Sequence, residues 1–64
     1  MKTGTVKFFN TEKGYGFISV DDSDEDVFVH HSGLNDDIAD NDRVSFEIED
    51  GRKGPKAVEV TLLD

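Results

Sequence analysis

Hydrophobic and polar residues alternate along five short stretches of this 64-residue chain. The most regular is Arg43–Glu49, RVSFEIE, with Val44, Phe46 and Ile48 on one face and Ser45, Glu47 and Glu49 on the other. Ala57–Leu62, AVEVTL, repeats the pattern with Val58, Val60 and Leu62 on one face. Thr5–Phe9, TVKFF, is β-branched and aromatic, and Tyr15–Val20 and Asp26–His30 complete the set. A period of two predicts a strand in each case. The breaks at Asn10–Gly14, Asp21–Glu25 and Asp50–Pro55 are rich in Asn, Asp, Ser and Gly, the residues of tight turns. The one longer connection, His31–Asp42, is expected to hold a helical turn around Asn35–Ala39. Five short strands at this spacing predict an all-β fold, a five-stranded antiparallel OB-type barrel whose closure hides its strand edges. Residues 1–64 would form one domain.

Two of the strands sort their side chains in an informative way. Tyr15–Val20 places Tyr15, Phe17 and Ser19 on one face and Gly16, Ile18 and Val20 on the other. Asp26–His30 places Asp26, Phe28 and His30 opposite Val27 and Val29. The aliphatic faces match those of the last two strands and are the expected core. The ring-bearing faces are then left outside, and an exposed apolar patch of this kind marks an interaction site. Rings side by side on neighbouring strands suit stacking against unpaired bases, and Gly14 and Gly16 would let a ligand approach closely. Alternation alone leaves a second reading open, in which the rings form a further core covered by a partner or by the rest of the barrel.

Composition adds charge. Fifteen acids against seven bases give a net charge of −8. Residues 1–20 hold three bases and one acid, a net +2, whereas residues 21–64 hold four bases and fourteen acids, a net −10. Clusters at Asp21–Asp26, Asp36–Asp42 and Glu47–Asp50 read as solvated loops, or as adaptation to high salt, where self-repulsion is screened over about 3 Å at 1 M. There is no Cys, hence neither disulfide nor thiolate chemistry. No stretch is long and apolar enough to span a membrane and no signal-peptide segment is present, so a soluble cytoplasmic protein is expected. A metal site is not expected, because adjacent strand positions would point His30 and His31 to opposite faces. The acidic turns lack the glycine and terminal Glu of a calcium loop and the burial that raises a catalytic pKa. No enzymatic activity, cofactor or small-molecule substrate is expected.

The residues also carry a family resemblance. KGYGFI at Lys13–Ile18 resembles the first ribonucleoprotein motif, and VFVHH at Val27–His31 the second, in the order and spacing of cold-shock domains. GTVKFFN at Gly4–Asn10 and GPKAVEVT at Gly54–Thr61 look like the first and last strands of that family. In an RNA-recognition motif the similar octapeptide lies late in a longer domain with two helices, unlike here. The resemblance implies a five-stranded OB barrel that binds single-stranded RNA and DNA and acts as an RNA chaperone; a monomer is expected. Carried over by position, it implies base stacking by Phe8, Tyr15, Phe17, Phe28 and His30, with a lesser part for Phe9. Lys7 and Lys13 would lie near backbone phosphates, and Asn10 would bond to a base or order its loop.

Three departures stand out. Phe8 replaces the family's usual Trp, giving a weaker stack. His31 stands where many members have Phe, a smaller and pH-sensitive platform. The Leu34–Ile38 connection is short, and no aromatic lies between His31 and Phe46, so one stacking subsite is missing. Arg52–Gly54 would add backbone contacts or offset Asp50. The alternative function is a β-barrel that turns the same aromatic face to a protein partner. The overall acidity favours that alternative, while the local +2 and the base-sized rings favour nucleic acid.

Overall fold

The computed structural model describes residues 1–23, 25–51 and 54–63. Five strands, β1 (Lys2–Asn10), β2 (Tyr15–Val20), β3 (Asp26–His30), β4 (Arg43–Gly51) and β5 (Gly54–Leu62), close into a barrel in the order β1-β2-β3-β5-β4. β1 and β5 start three residues before the apolar pattern does, since backbone pairing continues past the buried side chains. Four seams are antiparallel as expected. The closing seam between β3 and β5 is parallel and short, pairing Phe28 with Lys56 and Val29 with Ala57.

The core holds Val6, Ile18, Val20, Val27, Val29, Ile38, Val44, Phe46, Ala57 and Val60. The predicted inward faces of β2 and β3 are therefore the observed ones. Two irregularities reset the alternation elsewhere. In β5 an extra residue falls opposite the Ser45–Glu47 step of β4, and Glu59 takes a positive φ of 53°. This bulge lets both Ala57 and Val60 face inward and leaves Val58 half-buried; Ile48 and Leu62 keep the phase of their buried partners Ala57 and Val44 but lie beyond the packed core, 39% and 38% exposed. The expected inward faces Val44–Phe46–Ile48 and Val58–Val60–Leu62 are corrected accordingly. A strict period of two cannot pass through a bulge.

The second irregularity lies in β1. Val6 pairs with Ile18 but Phe8 pairs with Phe17, so Lys7 is the extra residue. Without it Phe8 would point inward with Val6. With it, Lys7 and Phe8 both face out and Phe9 packs against the core.

The His31–Asp42 connection also differs from expectation. Its one helical turn is a 3-10 turn at His31–Gly33, not around Asn35–Ala39. Leu34 then bridges to Val60, and Ile38 drops into the core. Its acids are less idle than solvated loop residues. Asp40 accepts the Phe9 N–H at 2.9 Å, Asp36 accepts the Leu62 N–H at 3.0 Å, and Asp42 accepts the Ala39 N–H at 2.8 Å. Asn41 and Asp42 exchange backbone bonds with Val6 beside the β1 bulge, each at 2.8 Å. The connection thereby satisfies backbone groups that an interrupted ladder leaves open. Among the described residues, no helix is long and apolar enough to cross a membrane.

Candidate nucleic-acid interface

The outer faces of β1, β2 and β3 carry one continuous row of rings. Phe17 sits directly opposite Phe28, Tyr15 opposite His30, and the β1 bulge brings Phe8 opposite Phe17. Ring centroids lie 5.7 Å apart for Phe8–Phe17, 5.9 Å for Phe17–Phe28 and 6.5 Å for Phe28–His30. Tyr15 closes the row from one side, 6.3 Å from Phe8 and 6.0 Å from Phe28. Tyr15, Phe17, Phe28 and His30 are half-buried, and Phe8 is 40% exposed. Such a row offers several flat apolar surfaces at once, each the size of a nucleobase.

Phe9 is not part of the row. It lines a separate hollow with Thr11, Lys13, Gly14, His31 and Leu34. Gly14 and Gly16, both buried, do not open the platform to a ligand either. A Cβ on Gly16 would meet the Phe8 carbonyl and Phe9, and one on Gly14, at φ +75°, would meet the His31 ring. Both glycines serve the chain's own close approaches, and the earlier reading of them is corrected on that point.

His31 departs most from expectation. It begins the 3-10 turn instead of continuing the strand, so its ring lies on the same side as that of His30, with centroids 4.3 Å apart. The argument that strand alternation separates the two imidazoles therefore fails. His30 is itself held in place: its Nδ1 accepts the Ser32 N–H at 3.2 Å and lies 2.9 Å from Ser32 Oγ.

The polar residues fall into two groups. Asn10 orders its loop, with Oδ1 accepting the N–H groups of Glu12 and Lys13 at 3.0 Å each and its carbonyl accepting that of Gly14 at 2.7 Å. This presents Lys13 at the mouth of the hollow, exposed and, among the described residues, without an ion-pair partner. Lys7 is exposed beside the rings but bonded to Asp26 at 3.0 Å. Lys56, which the sequence did not single out, stands next to Phe28 across the parallel seam and lines a second hollow beside His30. No local sequence signal marks it, because the seam joins segments far apart in the chain. Arg52 and Lys53 lie outside the described residues.

Away from the rings, Arg43 holds Asp21 through two bonds of 2.7 Å, and Thr3 donates a third at 2.8 Å. These donors, Arg43 first, lower the Asp21 pKa to about 2.

Comparison with known proteins agrees with this geometry. The family profile described as "'Cold-shock' DNA-binding domain" matches residues 2–63. The chain is 55% identical to a cold shock protein of Arthrobacter globiformis, over 98% of this chain and 100% of that one. It is 52% identical to the major cold shock protein of Micrococcus luteus, with the same coverage. Among solved structures, Drosophila Unr CSD456 superposes with a TM-score of 0.81 at 21% identity, covering 98% of this chain and 26% of that one. This last likeness concerns the fold.

Proposed function

The chain belongs to the cold-shock domain family, and from that premise we propose that it binds single-stranded RNA and DNA and acts as an RNA chaperone. The observation that carries this reading is the unbroken ring row Phe8–Phe17–Phe28–His30, flanked by Tyr15. Each stacked base contributes about 1–3 kcal/mol. A nucleic-acid helix gains about 1.4 kcal/mol per base-pair step. Four or five stacks, less the cost of association, hold open a few weak steps but not a long duplex. That balance suits a protein that melts marginal secondary structure and then lets go.

In this reading Phe8, Tyr15, Phe17, Phe28 and His30 stack on bases, while Phe9 and His31 line the neighbouring hollow. Lys13 meets the backbone directly. Lys7 does so by exchanging Asp26 for a phosphate. Asn10 acts by ordering the loop that carries Lys13. The protein works as a single cytoplasmic domain and a monomer, without catalytic activity, cofactor or small-molecule substrate. Its net charge of −8 supports a setting of high salt, in which repulsion from the strand is screened.

Fluorescence anisotropy with a labelled oligo-dT or oligo-U, competed by the same sequence as duplex, tests the reading. The single strand should bind at least about tenfold more tightly, since bases already paired and stacked offer no free face. Equal affinity for the duplex would refute stacking. Failure to bind either form would leave the ring face to a protein partner.

A further inference from the structure

Two imidazoles stand side by side at one end of the ring row, at 4.3 Å, on a face with few cations. Lys7 is engaged by Asp26, so Lys13 and Lys56 are the other positive groups near this end among the described residues. Resting on the single-strand reading above, we propose that the His30–His31 pair is a proton-gated phosphate contact. Uncharged, the rings offer a flat stacking surface and no positive charge to a phosphate. In mildly acidic solution the pair takes up one proton and holds one more backbone phosphate, so the strand binds more tightly.

The geometry supports each part. Imidazole is the side chain whose charge changes between about pH 5 and 8. His31 is exposed at the rim of the Phe9 hollow, where the charged groups are Glu12 and Lys13 from the β1–β2 turn and Asp36 and Asp37 from the long connection. His30 borders the other hollow, where Lys56 and Glu59 come from β5 and Glu47 and Glu49 from β4. Tyr15 is its partner across the β2–β3 seam. Both hollows thus border the pair with more carboxylates than ammonium groups, and an added proton enters a surrounding of net negative charge. Two protons are a different matter. Like charges about 4 Å apart oppose one another, so the proposed charge on the pair is one and not two. The Ser32 N–H on His30 Nδ1 also leaves that nitrogen without a proton in the neutral pair. One charge at the ring row is therefore the change to test for.

By linkage, a site that binds phosphate better when protonated binds more tightly as pH falls, and binding takes up protons. One phosphate at about 4–5 Å in a watery setting corresponds to a gain of roughly three- to tenfold at low salt. It also steepens the plot of log affinity against log salt by about 0.7.

The test is an anisotropy titration with oligo-dT, whose bases do not titrate in this range, at pH 7.5 and 5.5 over a series of KCl concentrations. Wild type should bind roughly three- to tenfold tighter at pH 5.5 in low salt, with the steeper slope. Calorimetry near pH 6.5 in buffers of different ionisation enthalpy should register proton uptake. The paired substitutions His30→Phe and His31→Phe, and separately His30→Gln and His31→Gln, should abolish both effects in protein shown folded by circular dichroism. Equal affinity at the two pH values overturns the proposal, as does tightening that survives both double variants. Absence of binding at pH 7.5 would instead refute the single-strand reading on which the proposal rests.

Discussion

Phe28 is the hub of the ring row, within 5.9 Å of Phe17, 6.0 Å of Tyr15 and 6.5 Å of His30. Replacing it with Ala removes one stacking surface and loosens three neighbours. Single-strand affinity should fall by about 1–3 kcal/mol, or roughly 5- to 150-fold. The effect on stability should be smaller than the ring's size suggests. Phe28 is half-buried, so its removal admits water and leaves no sealed cavity. The ring–ring contacts are worth about 0.5–1.5 kcal/mol each when fixed, but exposed neighbours re-pack, and a net loss of about 1–2 kcal/mol is expected. Phe46 supplies the control within the same fold. It is 1% exposed and lies in the core, where Phe→Ala costs about 3–5 kcal/mol. Domains of this size have about 3–10 kcal/mol in total, so Phe46→Ala should be near unfolding. Urea denaturation of both variants in molar KCl, with oligo-dT anisotropy on Phe28→Ala, makes the comparison. Folded Phe28→Ala that binds as tightly as wild type would refute the stacking assignment. A stability loss equal to that of Phe46→Ala would mean that the row is core rather than interface.

Three further outcomes follow from the charges and the backbone. With a net −8 on a small core, the melting temperature should rise from dilute buffer to molar KCl as repulsion is screened, and an unchanged or lower midpoint would refute salt adaptation. Because the folded-state pKa of Asp21 is lowered from 3.8 to about 2, its contribution is present above about pH 4 and is lost as pH falls toward 2. The stability advantage of wild type over Asp21→Asn should shrink across that window, and an advantage that is undiminished at pH 2 would contradict the Arg43 pairing. Glu59, at φ 53°, occupies a backbone region strained for any residue with a Cβ. Glu59→Gly should therefore stabilise the fold by about 0.5–1 kcal/mol relative to Glu59→Gln in thermal melts, the relief exceeding glycine's entropic penalty; a loss of similar size would show the conformation to be unstrained.

The apolar period of two in β2 and β3 was enough to assign every side chain of those strands to its face, because both run without interruption and one face of each is buried. The same rule failed in β4 and β5 at Ile48, Val58 and Leu62. At Val58 one bulge at Glu59 shifts the phase, and a bulge is a property of two paired strands that neither strand's pattern contains; Ile48 and Leu62 keep the phase but lie where the packed core has ended, which alternation does not record. The division between Phe8 and Phe9 has the same origin. As adjacent rings they looked interchangeable, and the extra residue Lys7 turned one onto the interface and the other against the core. The motifs around Lys13–Ile18 and Val27–His31 marked the site by local chemistry alone. What local chemistry could not show were meetings across the barrel: Lys56 beside Phe28 through the parallel seam, and Asp40 and Asp36 bonded to the backbone of β1 and β5. The His30–His31 contact is subtler, since the residues are neighbours in sequence. A strand would have parted their rings, and only the onset of a 3-10 turn at His31 brings them to one side.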